Sequence, residues 1–351
     1  MDDLYRKYVF PVLVALSVGD AERAHTLARW GISALQRVPP LLLYINERYY
    51  MARHDRSVTI AGTRFPNRVG LAAGLDKQGE MLPFWQALGF GFVTVGTVLP
   101  QRQQGSPRPR LFRLRDIEAL INRMGFNSDG MIQVLHHLDR DRKSIIIPLG
   151  VSAGKMAGTP LDDAVEDYVA VMRTMWLIVT YIEICISSPN TPDLRKLQGR
   201  KYVEAFLARL HGVRGTCRDF SGVDRPLFLK IAPDMTLPEV DDILAAIGPK
   251  GARKVDGMII SNTTVDRSMI EGHPLASEKG GLSGPPVYEK MMALLKYVRS
   301  QDDEIPIIAV GGINTPEKGQ QAFDEGANAI QILTGFVYRG PQLVQDLRAL
   351  P

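Results

Sequence analysis

From residue 57 onward, short runs of β-branched and other apolar residues alternate with segments whose apolar residues recur at helical spacing. Strands that alternate with helices form a parallel sheet joined by crossover connections. Eight such runs in one chain of 351 residues predict an α/β fold, a closed (β/α)8 TIM barrel, rather than an open doubly wound sheet. The predicted barrel strands are residues 69–72, 92–95, 145–151, 181–186, 227–231, 257–261, 306–310 and 329–333.

Residues 1–45 contain two helical patterns and no strand, and they are predicted to form a helical cap on a barrel that occupies residues 57–351. The first pattern, residues 5–18, is basic before it becomes apolar, as in a helix that lies on a membrane surface. A helix docked only on the barrel is the alternative. The second pattern, residues 21–35, begins after a predicted N-cap at Asp20. Its apolar residues fall on one helical stripe, comprising Ala24, Leu27, Ala28, Ile32 and Leu35.

Two further local patterns predict where the second helix ends and how the barrel begins. The proline pair at residues 39 and 40 predicts the end of the second helix, with an apolar segment after it. Two short β-branched runs on either side of Gly62 predict a hairpin that closes the floor of the barrel.

Composition excludes several classes of protein. Forty-two basic and 38 acidic residues leave a net charge of +4, too mild an excess to indicate nucleic-acid binding. No apolar run reaches the ~20 residues of a membrane-spanning helix, and the first residues lack the layout of a secretory signal. Two cysteines, Cys185 and Cys217, make neither a disulfide scaffold nor a zinc pattern. We therefore expect a soluble or peripheral protein of a reducing compartment, without a metal.

The carboxyl ends of the predicted barrel strands are rich in glycine and polar residues, and the active site of such barrels lies at these ends. The last two strands end in Gly311-Gly312 and Thr334-Gly335, where backbone amides commonly hold a phosphate. A lysine such as Lys230 can stabilise negative charge at the edge of a flavin. We see no metal-binding histidine pair, nucleophile elbow or dinucleotide fingerprint. These features predict a phosphorylated cofactor across the barrel mouth.

Six motifs in this order resemble those of class 2 dihydroorotate dehydrogenases: LAAGLDK (71–77), INRMGFN (121–127), ISSPNT (186–191), KIAPD (230–234), NTT (262–264) and GGLSG (280–284). Members of that family oxidise (S)-dihydroorotate to orotate and pass the electrons to a membrane quinone, in pyrimidine biosynthesis. The resemblance covers nearly the whole chain, including the helical N-terminus. It implies one FMN per chain, a monomer, and peripheral attachment to the cytoplasmic face of the cytoplasmic membrane, or to the mitochondrial inner membrane in an organellar form.

The resemblance also implies roles for individual residues. Ser188 corresponds to the catalytic base that removes a proton from dihydroorotate. His25 and Arg113 correspond to the inner end of the quinone tunnel. The implied substrate-binding residues are Lys77, Asn122, Met124, Gly125, Phe126, Asn190, Asn262 and Thr263. The implied flavin-contact residues are Ala73, Gly74, Thr97, Asn122, Ser152, Cys185, Lys230, Ser261, Ser283, Gly284, Gly312, Leu333 and Thr334.

Several positions depart from the family pattern. Cys185, Ser152 and Met156 stand where the family has asparagines, Leu333 where it has a tyrosine, and Leu16 where it has a glutamine. A thiol is a weak hydrogen-bond donor and does not replace an amide. Each polar group left unpaired costs ~1–3 kcal/mol, so we expect the family's reaction at a reduced rate.

Glu183 is a further departure, since the family has a small apolar residue there, while Thr94 replaces the family's glutamate. Strand alternation places Tyr181, Glu183 and Cys185 inside the barrel. A buried carboxylate needs a cationic or hydrogen-bonding partner. We hypothesise that the carboxylate has moved from one strand to an alternate strand and keeps the same cation, with Lys230 as the candidate.

Two other functions stay open from the sequence. The chain could be a degenerate barrel that binds FMN with little or no catalysis, an interpretation that Cys185, Ser152 and Met156 favour and that Ser188 and Lys77 oppose. It could also be a flavin oxidoreductase for another small ring or acid on the same barrel.

Overall fold

The computed structural model describes residues 4–49 and 56–351. Within them lie thirteen strands, in chain order β1 (Val58–Ile60), β2 (Thr63–Phe65), β3 (Val69–Leu71), β4 (Phe92–Val98), β5 (Leu111–Leu114), β6 (Ala119–Asn122), β7 (Leu149–Ala153), β8 (Tyr181–Cys185), β9 (Leu227–Ile231), β10 (Gly257–Ile260), β11 (Gly281–Ser283), β12 (Ile307–Val310) and β13 (Ala329–Ile332). The α-helices are α1 (Phe10–Leu16), α2 (Ala21–Leu35), α3 (Pro39–Tyr49), α4 (Leu82–Ala87), α5 (Met131–Asp141), α6 (Ala164–Met175), α7 (Arg200–Ser221), α8 (Leu237–Ile247), α9 (Tyr288–Gln301), α10 (Pro316–Asp324), α11 (Thr334–Arg339) and α12 (Pro341–Arg348).

Eight parallel strands close into a barrel in the order β3-β4-β7-β8-β9-β10-β12-β13, and β13 pairs with β3 to complete the ring. The predicted (β/α)8 fold is therefore confirmed, and each predicted barrel strand is present. The third strand, β7, begins at Leu149 instead of Ile145. Ile146 lies in the segment before β7 and is exposed, so its apolar side chain does not mark a buried strand.

The lower half of the barrel interior is filled by aromatic rings from the amino-terminal ends of the strands. Phe92 and Tyr181 meet Phe228 and, from the β1–β2 hairpin, Phe65, whose ring centroid lies 4.9 Å from that of Phe92. The predicted hairpin thus closes the barrel floor. Gly150 on β7 leaves room for this layer, since a Cβ there would lie 2.2 Å from the Tyr181 ring. The filled floor leaves the carboxyl ends of the strands as the accessible end.

The N-terminal region is helical, as predicted, but contains one more helix than the sequence patterns indicated. A π-helical turn at Tyr5–Val9 leads into α1, and α2 has the predicted bounds, with the Asp20 carboxylate accepting hydrogen bonds from two backbone amides. Helix α2 ends at Leu35, before the proline pair, as predicted, but the same pair begins the additional helix α3. Proline suits the first helical position, where its missing N–H has no intrahelical acceptor. Residues 1–3 of the predicted cap lie outside the described range.

A three-stranded antiparallel sheet, β5-β6-β11, lies outside the barrel ring and was not anticipated. It pairs Asn122 on β6 with Gly281 on β11, two segments that are 159 residues apart in sequence. Ion pairs of Glu22 on α2 with Arg110 and Arg108, which precede β5, join the cap to this sheet. The sheet therefore connects the cap to the barrel mouth.

Replacement of Gly150 by alanine is expected to destabilise the protein, because the new methyl group would overlap the buried Tyr181 ring. Overpacking of this kind costs about 1–3 kcal/mol, measurable as a lower midpoint of urea unfolding. The matched control is Gly158→Ala, where no atom lies within 4 Å of the added Cβ. Equal midpoints for the two variants would contradict a tightly filled barrel floor.

Candidate active site

One cavity of about 810 Å³ extends from the barrel mouth to the cap helices. Its wall includes Ser188, the predicted tunnel residues His25 and Arg113, and all eight predicted substrate-binding residues. It also includes every predicted flavin-contact residue except Ser152. Residues that are up to 309 positions apart in the chain, from His25 to Thr334, thus lie around one space.

Three residues expected at the site, Ser152, Met156 and Leu16, do not line this cavity. Ser152 on β7 is fully buried behind Thr97, and the two hydroxyl oxygens lie 3.2 Å apart. Leu16, expected in the quinone tunnel, is 67% exposed at the end of α1. The residues of α1 that do line the cavity are Phe10 and Leu13. The rotation of α1 about its axis decides which of its residues face inward. A position-by-position comparison with the family pattern does not show this rotation.

Ser188 lies in the loop that follows β8 and is only 6% exposed, at the cavity wall. Within the described residues, its hydroxyl makes one hydrogen bond, which it accepts from the backbone amide of Asn190 at 3.3 Å. The Asn190 side-chain amide donates to the backbone and side-chain oxygens of Asn122, at 3.0 and 3.1 Å. The loop is thereby attached to β6 of the antiparallel sheet. The Ser188 hydroxyl proton remains free to take part in a reaction.

A second amide, that of Asn262, holds the opposite side of the same loop. Asn262 donates to the Ser187 hydroxyl at 2.9 Å and lies 3.8 Å from the Cys185 sulfur. Burial, and after it the charge of Glu183, raises the pKa of the Cys185 thiol. Cys185 therefore stays a neutral thiol at the cavity wall.

Lys77 presents an ammonium to the cavity from the loop after β3. Its nitrogen donates to the amide oxygen of Asn127, a residue within the INRMGFN motif that was given no role from the sequence. Burial, together with the nearby Arg110 guanidinium, lowers the pKa of Lys77 to about 7. A desolvated ammonium of this kind favours an anionic ligand, which would restore the charge balance.

Lys230 and Glu183 form a buried pair inside the upper barrel. The Lys230 ammonium donates to Glu183 Oε1 at 3.4 Å, and the two side chains are 6% and 0% exposed. Both residues line the cavity. The expected pairing of Glu183 with Lys230 is confirmed, as is the predicted inward direction of Tyr181 and Cys185.

Arg195 is a bracing residue that sequence reasoning missed. Its guanidinium donates to the backbone oxygens of Ser187 and Thr263, at 3.0 and 2.8 Å, and pairs with Asp234 at 2.9 Å. It therefore ties together the loops after β8, β9 and β10. Arg195 lies in a 3₁₀ turn beyond the ISSPNT motif, and no local pattern marks it.

Gln331 on β13 was also missed, although strand alternation could have revealed it. The residue is fully buried, lines the cavity, and donates from its amide nitrogen to the Thr94 hydroxyl at 2.7 Å. Its amide oxygen has no partner within the described residues. A polar residue at an inward position of a barrel strand was the available signal.

A phosphorylated group has a suitable set of donors on the side of the cavity formed by the last strands. Gly284 and Gly312 allow backbone to approach there, with φ angles of 95° and 70° that L side chains rarely adopt. The Ser283 and Thr334 hydroxyls lie 2.8 Å apart next to these glycines. The polar and glycine-rich wall could hold a planar cofactor with a phosphate at this end.

The other end of the cavity is apolar and lies between the cap helices. The α2 stripe predicted from the sequence faces it, comprising Ala24, Leu27, Ala28, Ile32 and Leu35. Among the described residues, His25 forms no hydrogen bond with an acid. Its Nε2 lies 2.8 Å from the Leu75 oxygen, and burial lowers the pKa of the ring. The Arg113 Nε and Nη1 atoms are buried without hydrogen-bond partners within the described residues. An apolar ligand with a carbonyl oxygen would suit this end.

Comparisons with known proteins agree with this geometry. The model of the dihydroorotate dehydrogenase family matches residues 56–349. A dihydroorotate dehydrogenase (quinone) of Salinispora arenicola is 43% identical over 349 residues, which are 99% of this chain and 98% of that one. The enzyme of that name from Chloroflexus aurantiacus is 44% identical over 97% of this chain and 93% of its own length.

Solved structures extend the similarity to three dimensions. The structure of the Eimeria tenella enzyme in complex with ferulenol has a TM-score of 0.83 and 32% identity, covering 97% of this chain and 93% of that chain. The ligand-free form of the Eimeria enzyme has a TM-score of 0.78 and 33% identity, covering 88% of this chain and 91% of that one. The sequence motifs, the closed barrel and near-full-length identity above 40% lead to one conclusion: this chain belongs to the dihydroorotate dehydrogenase family.

Proposed function

We propose that the protein oxidises (S)-dihydroorotate to orotate, with FMN as the hydride acceptor and a membrane quinone as the final electron acceptor. The observation that carries this proposal is the single cavity that joins a polar barrel mouth, where Ser188 lies, to an apolar space between helices. A polar ring substrate and an apolar electron acceptor can then approach the same cofactor from the two ends of the cavity. The names of the relatives support the same activity.

FMN fits the donors and acceptors at the barrel mouth. The volume of about 810 Å³ lies in the upper part of the range of ligand-binding cavities. The unpartnered Gln331 oxygen and the Lys230 ammonium offer a polar edge for the ring, and the wall at Ser283, Gly284 and Gly312 offers donors for the phosphate. When bound, FMN supplies a two-electron acceptor that takes a hydride from the substrate.

The chain's own residues would bind and orient the substrate. Dihydroorotate carries a carboxylate, for which the desolvated Lys77 ammonium is the matching cation. Its ring carbonyl and N–H groups require donors and acceptors, which the amides of Asn122, Asn190 and Asn262 provide. These amides are themselves held by hydrogen bonds to neighbouring loops, so the binding geometry is formed in advance.

Ser188 would take the proton from the ring carbon next to the one that loses hydride. A serine hydroxyl is a weak base, and within the described residues no carboxylate or imidazole hydrogen-bonds to it. Proton transfer therefore depends on orientation and on relay of the hydroxyl proton to water or ligand atoms. Arg195 and Asn262, which hold the Ser187 backbone and hydroxyl, restrict the position of the neighbouring Ser188.

A barrel that holds FMN with little catalysis is the second candidate, and Cys185 is the observation that favours it. As a neutral buried thiol, Cys185 supplies no amide to the ring or the substrate. The two candidates differ in whether dihydroorotate reduces the bound flavin.

The apolar end of the cavity would admit the quinone from a membrane surface. Large apolar side chains are exposed on all three cap helices, among them Val12, Leu16, Trp30 and Leu43. The Arg113 Nε and Nη1 atoms, which have no hydrogen-bond partner among the described residues, can bind a quinone carbonyl oxygen at the inner end. In the described part of the chain, no helix combines the length and hydropathy that a bilayer crossing requires.

Replacement of Ser188 by alanine is expected to slow dihydroorotate-dependent flavin reduction by about 10²–10⁴-fold, because the proton acceptor is removed. Flavin content should not change, because the hydroxyl is not required to hold FMN. Stopped-flow absorbance of the bound flavin after mixing with dihydroorotate measures the rate.

Ser187→Ala is the matched control for Ser188, since it removes the adjacent hydroxyl, which accepts from Asn262. We expect it to weaken substrate binding more than it slows proton transfer. If the flavin of the wild-type protein stays oxidised with excess dihydroorotate, the non-catalytic barrel is favoured. If the flavin is reduced equally fast in the wild type and in Ser188→Ala, Ser188 has no part in the mechanism.

Orotate binding is expected to weaken as the pH rises above 7. The pKa of Lys77 is about 7 without ligand, so above that pH binding of the carboxylate must take up a proton. The dissociation constant should be nearly constant below pH 7 and rise about tenfold per pH unit above it. Calorimetric titration of the flavin-loaded protein with orotate between pH 6 and 8.5 measures this.

Lys77→Met serves as the control for that pH dependence. The variant should bind orotate more weakly at pH 6 and with no such change up to pH 8.5. An affinity of the wild-type protein that does not vary over this range would contradict the role of the Lys77 ammonium.

Replacing two exposed cap leucines by serine, Leu16→Ser with Leu43→Ser, is expected to weaken vesicle binding by about tenfold or more. Each buried leucine contributes about 1.5–3 kcal/mol, which the serine variant loses. Sedimentation with phosphatidylglycerol–phosphatidylethanolamine vesicles measures the bound fraction. The control is Phe220→Ser, which removes a 93% exposed ring from α7; an equal loss there would show that the cap leucines have no special part.

A further inference from the structure

Glu183 is a buried acid that the proposed reaction does not use. It is fully buried on β8, and only its Oε1 atom has a partner within the described residues, the Lys230 ammonium. Its Oε2 atom makes no hydrogen bond there. A carboxylate in such a position is disfavoured unless a nearby positive charge balances it.

The buried Lys230 ammonium in turn relies on Glu183 to balance its charge. Its ammonium is 6% exposed, and its one hydrogen bond within the described residues goes to Glu183. The register of the barrel brings the two together, since Glu183 pairs with Phe228 and Cys185 pairs with Lys230 on the adjacent strand β9. Both side chains therefore point into the cavity at neighbouring levels of the barrel, and the pair carries no net charge.

We propose that Glu183 is a positioning residue that holds the Lys230 ammonium at the cavity wall and offsets its charge, thereby lowering the reduction potential of a bound flavin. This inference rests on the proposed function, in which the cavity holds FMN next to Lys230. Reduction adds negative charge to a flavin, and an unbalanced ammonium would stabilise that charge. The Glu183 carboxylate acts through Lys230 and opposes the stabilisation.

The potential of the flavin, measured by equilibration with reference dyes, tests the inference in the FMN-loaded full-length protein. Glu183→Gln keeps the size of the side chain and removes its charge, so the ammonium is no longer balanced. We expect the ratio of reduced to oxidised flavin at a fixed ambient potential to rise at least tenfold. For a two-electron couple this corresponds to an upward shift of about 30 mV.

Two further variants complete a charge cycle. Lys230→Gln leaves the carboxylate alone and should lower the potential, whereas the double variant of Glu183→Gln with Lys230→Gln restores a neutral pair and should return the potential toward that of the wild type. If Glu183→Gln alone does not fold, the step from Lys230→Gln to the double variant removes the same carboxylate charge. A rise in potential on that step supports the inference, and no rise overturns it.

Thr94→Val is the matched control for a general loosening of the barrel. Thr94 is a fully buried, uncharged residue that hydrogen-bonds to Tyr181 and Gln331, and not to Lys230. The variant should lower the melting temperature and leave the flavin potential unchanged. An unchanged or lower potential in Glu183→Gln, or an equal rise in Thr94→Val, would overturn the role of Glu183. A wild-type protein that binds no FMN would overturn the proposed function itself, and this inference with it.

Discussion

Closure of the strand ring by the pairing of β13 with β3 is the constraint on which the rest of the molecule depends. In a closed parallel ring, all eight carboxyl ends meet at one rim, and the inward side chains of all strands share one interior. An aromatic layer fills the lower interior and leaves space for a ligand only at the upper end; it consists of Phe65, Phe92, Tyr181 and Phe228. The functional residues therefore lie around the open upper end because of the topology of the barrel.

The upper interior is dry enough that individual charges dominate its chemistry. Lys77 forms no ion pair with an acid among the described residues and has a pKa of about 7, whereas Lys230 is balanced by Glu183 at 3.4 Å. The two lysines thus differ in their charge balance, although Lys77 lies in the loop after β3 and Lys230 near the carboxyl end of β9, at the same end of the barrel. Lys77 is suited to an anionic ligand that binds and dissociates in each turnover, and Lys230 to a cofactor that stays bound.

The cap extends the cavity of the barrel mouth into an apolar space. The predicted α2 stripe lines this space, and residues of α3 line it as well. The half-buried Glu22 pairs with the buried Arg110 and holds α2 on the loop before β5. A salt bridge of this kind fixes orientation more than it adds stability. The apolar space is thereby kept in line with Arg113 and the barrel mouth.

The barrel strands, helix α2 and many of the site residues could be predicted from the sequence alone. Periodicity predicted the eight strands, α2 and the floor hairpin, because burial on one face leaves a local repeat that needs no knowledge of partners. Alternation on β8 likewise predicted the inward direction of Glu183 and Cys185, and the motifs named the residues that surround one cavity. Tertiary structure alone decided the pairing of β6 with β11, the rotation of α1 that turns Leu16 outward, the burial of Ser152 behind Thr97, and the three-loop contact of Arg195. Each of these depends on segments that are distant in the chain or on the rotation of a whole helix. No local pattern records such information, because the free energy that selects it comes from contacts that exist only after the barrel has closed.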